Sequence, residues 1–292
     1  MATALSWSGE DVRLAAVNTA LAQLRAEAAS DAPSMRTSVM THLAWVPERW
    51  TEQARGALAG MAERHPSRTI LLFPDADAGS DRIDATVSLE TYALPGVDRR
   101  LVSEVVELQL HGRRAKAPAS IVEPLLISDL PVFLRWRGEP PWGAPELDQL
   151  IGVVDRLIVD STEWDDLPYP YRHLLELFER TAVSDIAWAR TSRWRSLLAS
   201  LWPDLADVRR LKVRGTYAQA LLLCGWLRSR LDRDDIDVEH VDAPRLEGIE
   251  LDAKPAPFPP GDPPQPSDVL SDELDRFTRD RIFEAAVRAI AS

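Results

Sequence analysis

Between residues 68 and 111 the hydrophobic period changes, and that change limits the architecture more than any other feature of the chain. "RTILLF" (68–73) is an unbroken apolar run, as expected of a strand covered on both faces. "RIDATVSLETY" (82–92) then alternates, with Ile83, Ala85, Val87 and Leu89 set against Asp84, Thr86, Ser88 and Glu90. "LVSEVVELQLH" (101–111) follows after Pro95-Gly96. Alternation across such a turn reads as an antiparallel pair with one wet face.

Around this pair the chain alternates helical and strand patterns. Leu14, Val17, Leu21, Leu24 and Ala28 recur three or four apart, which predicts a helix over 10–28 with Ser8 and Asp11 as a capping-box start and Pro33 as its breaker. "TSVMTHLAWV" reads as a strand, and Trp50, Ala54, Ala57 and Met61 as one stripe of a helix stopped at His65-Pro66. "APASIVEPLLI" suits a helix that Pro124 kinks or ends. "PVFLRW", "ELDQLIGVV" and "RLIVD" complete a first lobe as strand, helix and strand. In the second lobe "YRHLLELFER", "RTSRWRSLLASLW" and "TYAQALLLCGWLRSRL" are predicted helices, and "DIAWAR", "DVRRLKVRG" and "IDVEHV" predicted strands.

The expected fold class is therefore α/β: two α/β lobes with mixed sheets flanked by helices, an antiparallel strand pair in the first lobe, and a C-terminal helix after a Pro-rich linker. The boundaries expected are 1–32 for an N-terminal helix, 33–165 and 166–252 for the lobes, and 253–292 for linker and terminal helix. "AKPAPFPPGDPPQP" (253–266) has extended character. Leu270, Leu274, Phe277, Phe283, Val287 and Ile290 mark an amphipathic helix that must dock on its own body or on a partner.

Charge narrows the function classes. With 34 Lys+Arg against 46 Asp+Glu the net charge is −12. Such a field repels phosphate backbones and anionic bilayers, so neither nucleic acid nor membrane is an expected partner. The N-terminus lacks a basic start and an apolar core, one cysteine (Cys224) cannot form an internal disulfide, and a cytoplasmic location is expected.

No spacing that fixes a chemistry is present. Gly-x-Gly-x-x-Gly, Gly-x-x-x-x-Gly-Lys and Gly-x-Ser-x-Gly do not occur, and the histidines and the lone cysteine offer no metal-ligand spacing. No catalytic residue, cofactor or metal site is expected. His42, inside a strand pattern, and Cys224, on an apolar helix, read as packing residues.

Ten tryptophans are the compositional oddity. Two stretches concentrate them beside arginines. "DLPVFLRWRGEPPW" supplies Trp136, Arg137, Glu139 and Trp142; "DIAWARTSRWR" supplies Trp188, Arg190, Trp194 and Arg195. Trp and Arg dominate interface hot spots, so these eight are candidate partner-binding residues. A second reading makes Arg190, Arg193 and Arg195 an anion site at a helix start capped by Thr191 or Ser192, with Asp129 or Asp160 as acid/base, in a sugar-phosphate-binding enzyme or sensor. The plain alternative is that the arginines pair with acidic neighbours over packed indoles.

Taken in order, "HPSRTILLF", "ASIVEPLLISDLPVFLRWRGEPP", "DRLIVDSTEW" and "DIAWARTSRWRSLLA" resemble the glucose-6-phosphate dehydrogenase assembly proteins, the OpcA family, over roughly residues 36–230. The resemblance implies a non-catalytic assembly factor and allosteric activator. It would bind glucose-6-phosphate dehydrogenase, the first enzyme of the oxidative pentose phosphate pathway, and promote its active oligomer. Photosynthetic members of that family carry cysteines through which thioredoxin adjusts them, whereas Cys224 stands alone here.

Overall fold

The computed structural model describes residues 3–31, 34–35, 38–61, 67–93, 100–261 and 266–291. The breaks expected at Pro33, His65-Pro66 and Pro95-Gly96 lie outside these residues. The chain divides into two compact units, Met1–Leu157 and Ile158–Ser292.

In the first unit the order is β1 (Thr3–Gly9), α1 (Leu14–Asp31), β2 (Ser34–Met35), β3 (Thr41–Trp45), α2 (Thr51–Met61), β4 (Arg68–Asp75), β5 (Ile83–Ala93), β6 (Arg100–His111), α3 (Pro118–Val122), β7 (Val132–Trp136) and α4 (Pro145–Ile151). Its sheet runs β1-β5-β6-β4-β3-β7, with β2 on β6. The change of period is the change of pairing. β5 lies antiparallel to β1 and β6, whereas β4 is parallel to β6 and β3, and β3 is parallel to β7. Ile83, Ala85, Val87 and Leu89 are buried, while Asp84, Thr86, Ser88 and Glu90 face outward or half outward. The apolar core of β4, Ile70–Phe73, is buried throughout. Pro124 falls in a 3-10 turn that ends α3.

The N-terminal segment departs from expectation. Ser8 lies in β1, and Asp11, at φ 48°, donates its backbone N–H to Asp84 Oδ1 (2.9 Å). α1 starts later, at Leu14, so residues 1–32 hold an edge strand as well as a helix. β5 pairs with β6 along one edge only, and the backbone groups of its other edge take up β1, a partner distant in sequence.

α1 lies against β1 and β5. It is also tied to the sheet by charge. Glu104 on β6 has no exposed surface. Arg25 of α1 donates Nε to Oε1 (2.7 Å) and Nη2 to Oε2 (2.9 Å), and buried Arg68 of β4 donates Nε to the same Oε2 (2.8 Å). Arg68 also donates to the carbonyl of Leu125, beyond α3. Burial pushes the Glu104 carboxyl up, but the Arg25 hydrogen bond and the two arginine charges outweigh it, leaving the group below its ordinary value. Glu104→Gln is expected to destabilise the protein by about 3–5 kcal/mol in denaturant titration, because it leaves Arg68 buried without its counter-charge. A loss below about 1 kcal/mol would remove the triad from the structural account.

The second unit comprises β8 (Arg156–Val159, which spans the unit boundary), α5 (Tyr171–Leu177), β9 (Ala182–Asp185), α6 (Ile186–Arg190), α7 (Ser192–Ser200), β10 (Arg210–Gly215), α8 (Tyr217–Leu231), β11 (Asp237–Asp242), β12 (Gly248–Leu251), β13 (Lys254–Pro255), α9 (Pro266–Leu274) and α10 (Arg281–Ala291). A four-stranded sheet runs β11-β10-β12-β13, with β10 parallel to β11 and antiparallel to β12. α8 starts on a capping box, Thr216 with Gln219, and ends on Asp232 in the left-handed region. Cys224 is buried on it, and burial pushes its thiol up.

Two expectations fail here. "DIAWAR" is a helix rather than a strand, because Asp185 accepts the N–H of Ala187 (2.8 Å) and caps α6 directly after β9. The expected single terminal helix is two. Asp280 accepts the N–H groups of Ile282 and Phe283 (both 3.0 Å) and starts α10 afresh, and Phe277 between the helices is 64% exposed.

α10 does dock on its own body, against α8 and α5, with Phe283 touching Phe178 and Trp188 (centroids 5.7 Å in each case). The α8–α10 crossing is close enough that a Cβ on Gly225 would sit 2.3 Å from the carbonyl oxygen of Ala286 and 2.6 Å from Ile290 Cγ1. Gly225→Ala should gain about 1 kcal/mol in helix propensity and yet lower the melting temperature, since overpacking costs about 1–3 kcal/mol or more. A raised melting temperature would show that the crossing relaxes freely.

Candidate functional site

The strand end that opens the first candidate cluster is built from two parallel strands in register. Trp45 of β3 pairs with Trp136 of β7, and their rings stack at 4.9 Å and 17°. β3 pairs with one edge of β7, and on the other edge the Asp155 N–H donates to the Val132 carbonyl (2.9 Å) while the Val132 N–H donates to Asp155 Oδ2 (2.8 Å), so β7 is an inner strand. Trp136 is 1% exposed, so it closes the core and cannot itself touch a partner. That corrects its placing among surface anchors: an indole directly opposite another indole on parallel strands buries both faces.

The residues after Trp136 reach the surface. The Arg137 N–H donates to the Trp45 carbonyl (3.0 Å), and its guanidinium lies 4.5 Å over the ring of Trp50. Exposed Arg49 approaches the same ring at 5.5 Å, and Arg137 also donates to Gln53 Oε1 (3.3 Å). Trp50 rests on the apolar cluster of Ala44, Val46, Ala54, Leu71 and Phe73. Gly138, at φ +78°, turns the chain; a Cβ there would stand 3.0 Å from Arg49 Nη2 and 3.2 Å from Trp50 Nε1. Trp142 donates its ring N–H to Glu139 Oε1 (2.9 Å), and both are half-buried. Arg137 thus stands beside Arg49 and Trp50, two residues that motif reading left out although "PERWTEQ" carries the same Trp–Arg signature, and the Glu139–Trp142 pair follows it in the chain.

In the second unit the tryptophans again form the interior. Trp188 is 1% exposed and Trp194 6%, so neither presents a ring to a partner. Their helices turn both inward, Trp188 onto Phe283 and Trp194 onto Phe258 (5.9 Å). Trp188 donates its ring N–H to Asp280 (2.8 Å), and Arg195 covers its face at 3.4 Å. Arg195 Nε also donates to Thr191 Oγ1 (3.0 Å), whose hydroxyl donates to the carbonyl of Trp188 (2.7 Å). Thr191 therefore makes no side-chain cap on α7. Burial, opposed by Asp280, pulls the Arg195 guanidinium down to about 10.

The three arginines of the anion-site reading face three different partners. Arg190 pairs with Asp160 (2.9 Å), Arg193 donates to the carbonyls of Pro259, Pro260 and Gly261, and Arg195 lies on Trp188. Asp160 is further held by the hydroxyl of Thr162 (2.6 Å). Asp129 is an exposed turn residue at φ 64°. No common point is served by these groups. An open depression of about 500 Å³ beside Ser8, Arg55 and Gln109 in the first unit also offers little, since Glu107 already holds Arg55 (2.6 Å).

Sequence reading missed a buried network in the second unit. Tyr171 donates to Ser161 Oγ (2.9 Å), which donates to Asp185 Oδ2 (2.6 Å). The N–H groups of Ser161 (3.1 Å) and Ala187 (2.8 Å) serve Asp185 Oδ1. Its signal was the helix cap in "SDIAWAR", hidden by the strand assignment. Among the described residues no group of three or more His, Cys, Asp or Glu is placed to hold a metal ion, and no helix is long and apolar enough to cross a membrane.

Two family profiles cover most of this architecture. Residues 59–176 match the glucose-6-phosphate dehydrogenase subunit N-terminal domain of the OpcA assembly family, and residues 181–258 match its C-terminal domain. The chain belongs to the OpcA family. Relatives named OxPP cycle protein OpcA occur in Nostoc punctiforme (28% identical over 187 residues, 59% of this chain and 39% of the relative) and Synechococcus elongatus (27% over 225 residues, 73% and 49%). A third, from a Synechocystis species, is 23% identical over 190 residues, 61% of this chain and 40% of its own length. The OpcA-family chain described here thus aligns with half or less of the length of these relatives.

Asp185 provides a titration test of the network. Its burial and then the charge of Asp160 push its carboxyl up to about 7, against the donors on Ser161 and Ala187. A raised folded value means that folding favours the protonated form. The stabilisation from this group is full below pH ~4 and is lost as pH rises through about 7. The melting temperature of Asp185→Asn relative to wild type should therefore rise between pH 5 and pH 8. A difference independent of pH would dissociate Asp185 from any titration.

Proposed function

We propose that this OpcA-family chain is a non-catalytic assembly factor that binds glucose-6-phosphate dehydrogenase and promotes its active oligomer, acting as an allosteric activator in the cytoplasm. The observation that carries the reading is the paired match to the dehydrogenase-subunit domains across residues 59–176 and 181–258. The relatives named as OxPP cycle proteins support it. The geometry agrees with a binding role. The candidate arginines are engaged in building surfaces, and those of the anion-site reading serve no common point.

The contact surface we infer is the rim at the end of β7: Arg49, Trp50, Arg137, Glu139 and Trp142. Arg137 is already ordered over Trp50, so it loses little side-chain entropy on binding. Arg49 and Arg137 bring two guanidinium groups suited to carboxylates of a partner, beside Glu139, which holds Trp142. Trp136, Trp188 and Trp194 serve as rigid support beneath their surfaces, while Arg190 and Arg195 hold the second unit together.

The purified chain should co-elute with the dehydrogenase of its host and change its kinetics. Absence of both effects would end the reading. Arg137→Ala should weaken that binding by about 1–3 kcal/mol with the fold retained. Trp136→Ala should instead lower thermal stability, by about 3–5 kcal/mol as expected for a large buried side chain. Equal affinity of Arg137→Ala and wild type would move the contact elsewhere.

A further inference from the structure

The most exposed large apolar side chain among the described residues is Phe258, 76% exposed in the middle of "PAPFPPG". Its setting is rigid at both ends. Upstream, Asp252 (φ 47°) and Ala253 (φ 66°) form the tight turn between β12 and β13. β13 then pairs with β12, and the Ala256 N–H donates to the Ile249 carbonyl (2.8 Å). Downstream, Arg193 of α7 gathers three successive carbonyls, those of Pro259, Pro260 and Gly261. Between these two anchors, prolines fix the backbone φ at 255, 257, 259 and 260.

Such a strap has a definite chemistry. Its prolines carry no N–H, so between residues 257 and 260 only Phe258 can donate from the backbone. With the carbonyls of Pro259, Pro260 and Gly261 taken by Arg193, the strap offers a partner the carbonyls of Pro257 and Phe258 and one aromatic ring. The ring touches Trp194 at one edge (5.9 Å, interplanar 59°) and is otherwise turned to solvent, so it adds little as cover for the core. Pro-rich extended segments of this kind are recognised by aromatic-lined pockets flanked by N–H and O–H donors, because little entropy remains to be lost.

We propose that residues 255–261 are a docking strap, and that Phe258 enters an apolar pocket, rimmed by hydrogen-bond donors, on the dehydrogenase bound by this chain. The inference rests on the proposed function for the identity of that partner, and adds a contact in the second unit, separate in sequence from the β7 rim. Phe258 is the anchor. Arg193 is a positioning residue that holds the strap at its downstream end.

The test uses the full chain and the dehydrogenase of its host, with affinity and melting temperature measured for wild type, Phe258→Ser, Phe258→Leu and Arg193→Ala. Phe258→Ser should bind about tenfold more weakly or worse, at an unchanged melting temperature, since an exposed anchor is worth more in the complex than in the free chain. Phe258→Leu should recover most of the affinity. Arg193→Ala, which leaves Phe258 in place but frees the strap, should fall between wild type and Phe258→Ser. Binding by Phe258→Ser within about twofold of wild type would overturn the strap while leaving the proposed function intact. Failure of the wild-type chain to bind overturns both. A wild-type chain that self-associates through Phe258, shown by a dimer that Phe258→Ser dissolves, would also overturn it, because the ring would then be spent on a second copy.

Discussion

A carboxyl with no exposed surface must be matched by donors or keep its proton, and the first unit is arranged about one that is matched. Glu104 sits on β6 between an arginine from α1 and an arginine from β4, and Arg68 extends the contact to the carbonyl of Leu125. One side chain thereby joins a surface helix, two sheet strands and the segment leading to β7. The second unit meets the same problem at Asp185 with neutral donors, a serine hydroxyl and two backbone N–H groups. The difference shows in the acidity of the two groups. Full positive charges hold Glu104 below its ordinary value, whereas dipoles alone do not offset the burial of Asp185 next to Asp160.

The Trp-rich strand end follows from parallel pairing. β3 and β7 finish together, so the last residue of each meets the other, and the two buried indoles stack there. Only the residue after the stack can face outward. Arg137 does so on a backbone already hydrogen-bonded to Trp45, and Gly138 turns the chain away at a φ that other residues avoid. Packing and presentation are consecutive in sequence: Trp136 holds and Arg137 displays.

Much of the fold was legible in the residues. The alternation of β5, the apolar runs of β4 and β7 and the cap of α8 each state their environment locally. What was not legible depends on partners distant in sequence. β1 is strand-like only once β5 provides an edge, and α6 is hidden because five residues of "IAWAR" carry no helical period. Burial of Trp136, Trp188 and Trp194 could not be separated from exposure, since Trp serves both cores and surfaces. The site was legible as a set of residues and not as a geometry. Clustering of Arg190, Arg193 and Arg195 suggested convergence, and a helix turn of 100° per residue sends neighbours apart instead.

α8 and α10 cross at Gly225, where the absent side chain of one helix admits the backbone of the other. Ile290 could turn its side chain away from an added methyl, but the carbonyl of Ala286 belongs to the helix backbone and can yield only if α10 itself moves. α10 is therefore keyed in both rotation and axial position, since a slide of one residue would carry bulkier groups into the notch. The last helix of the chain is thereby fixed in register against α8, and not only buried against it.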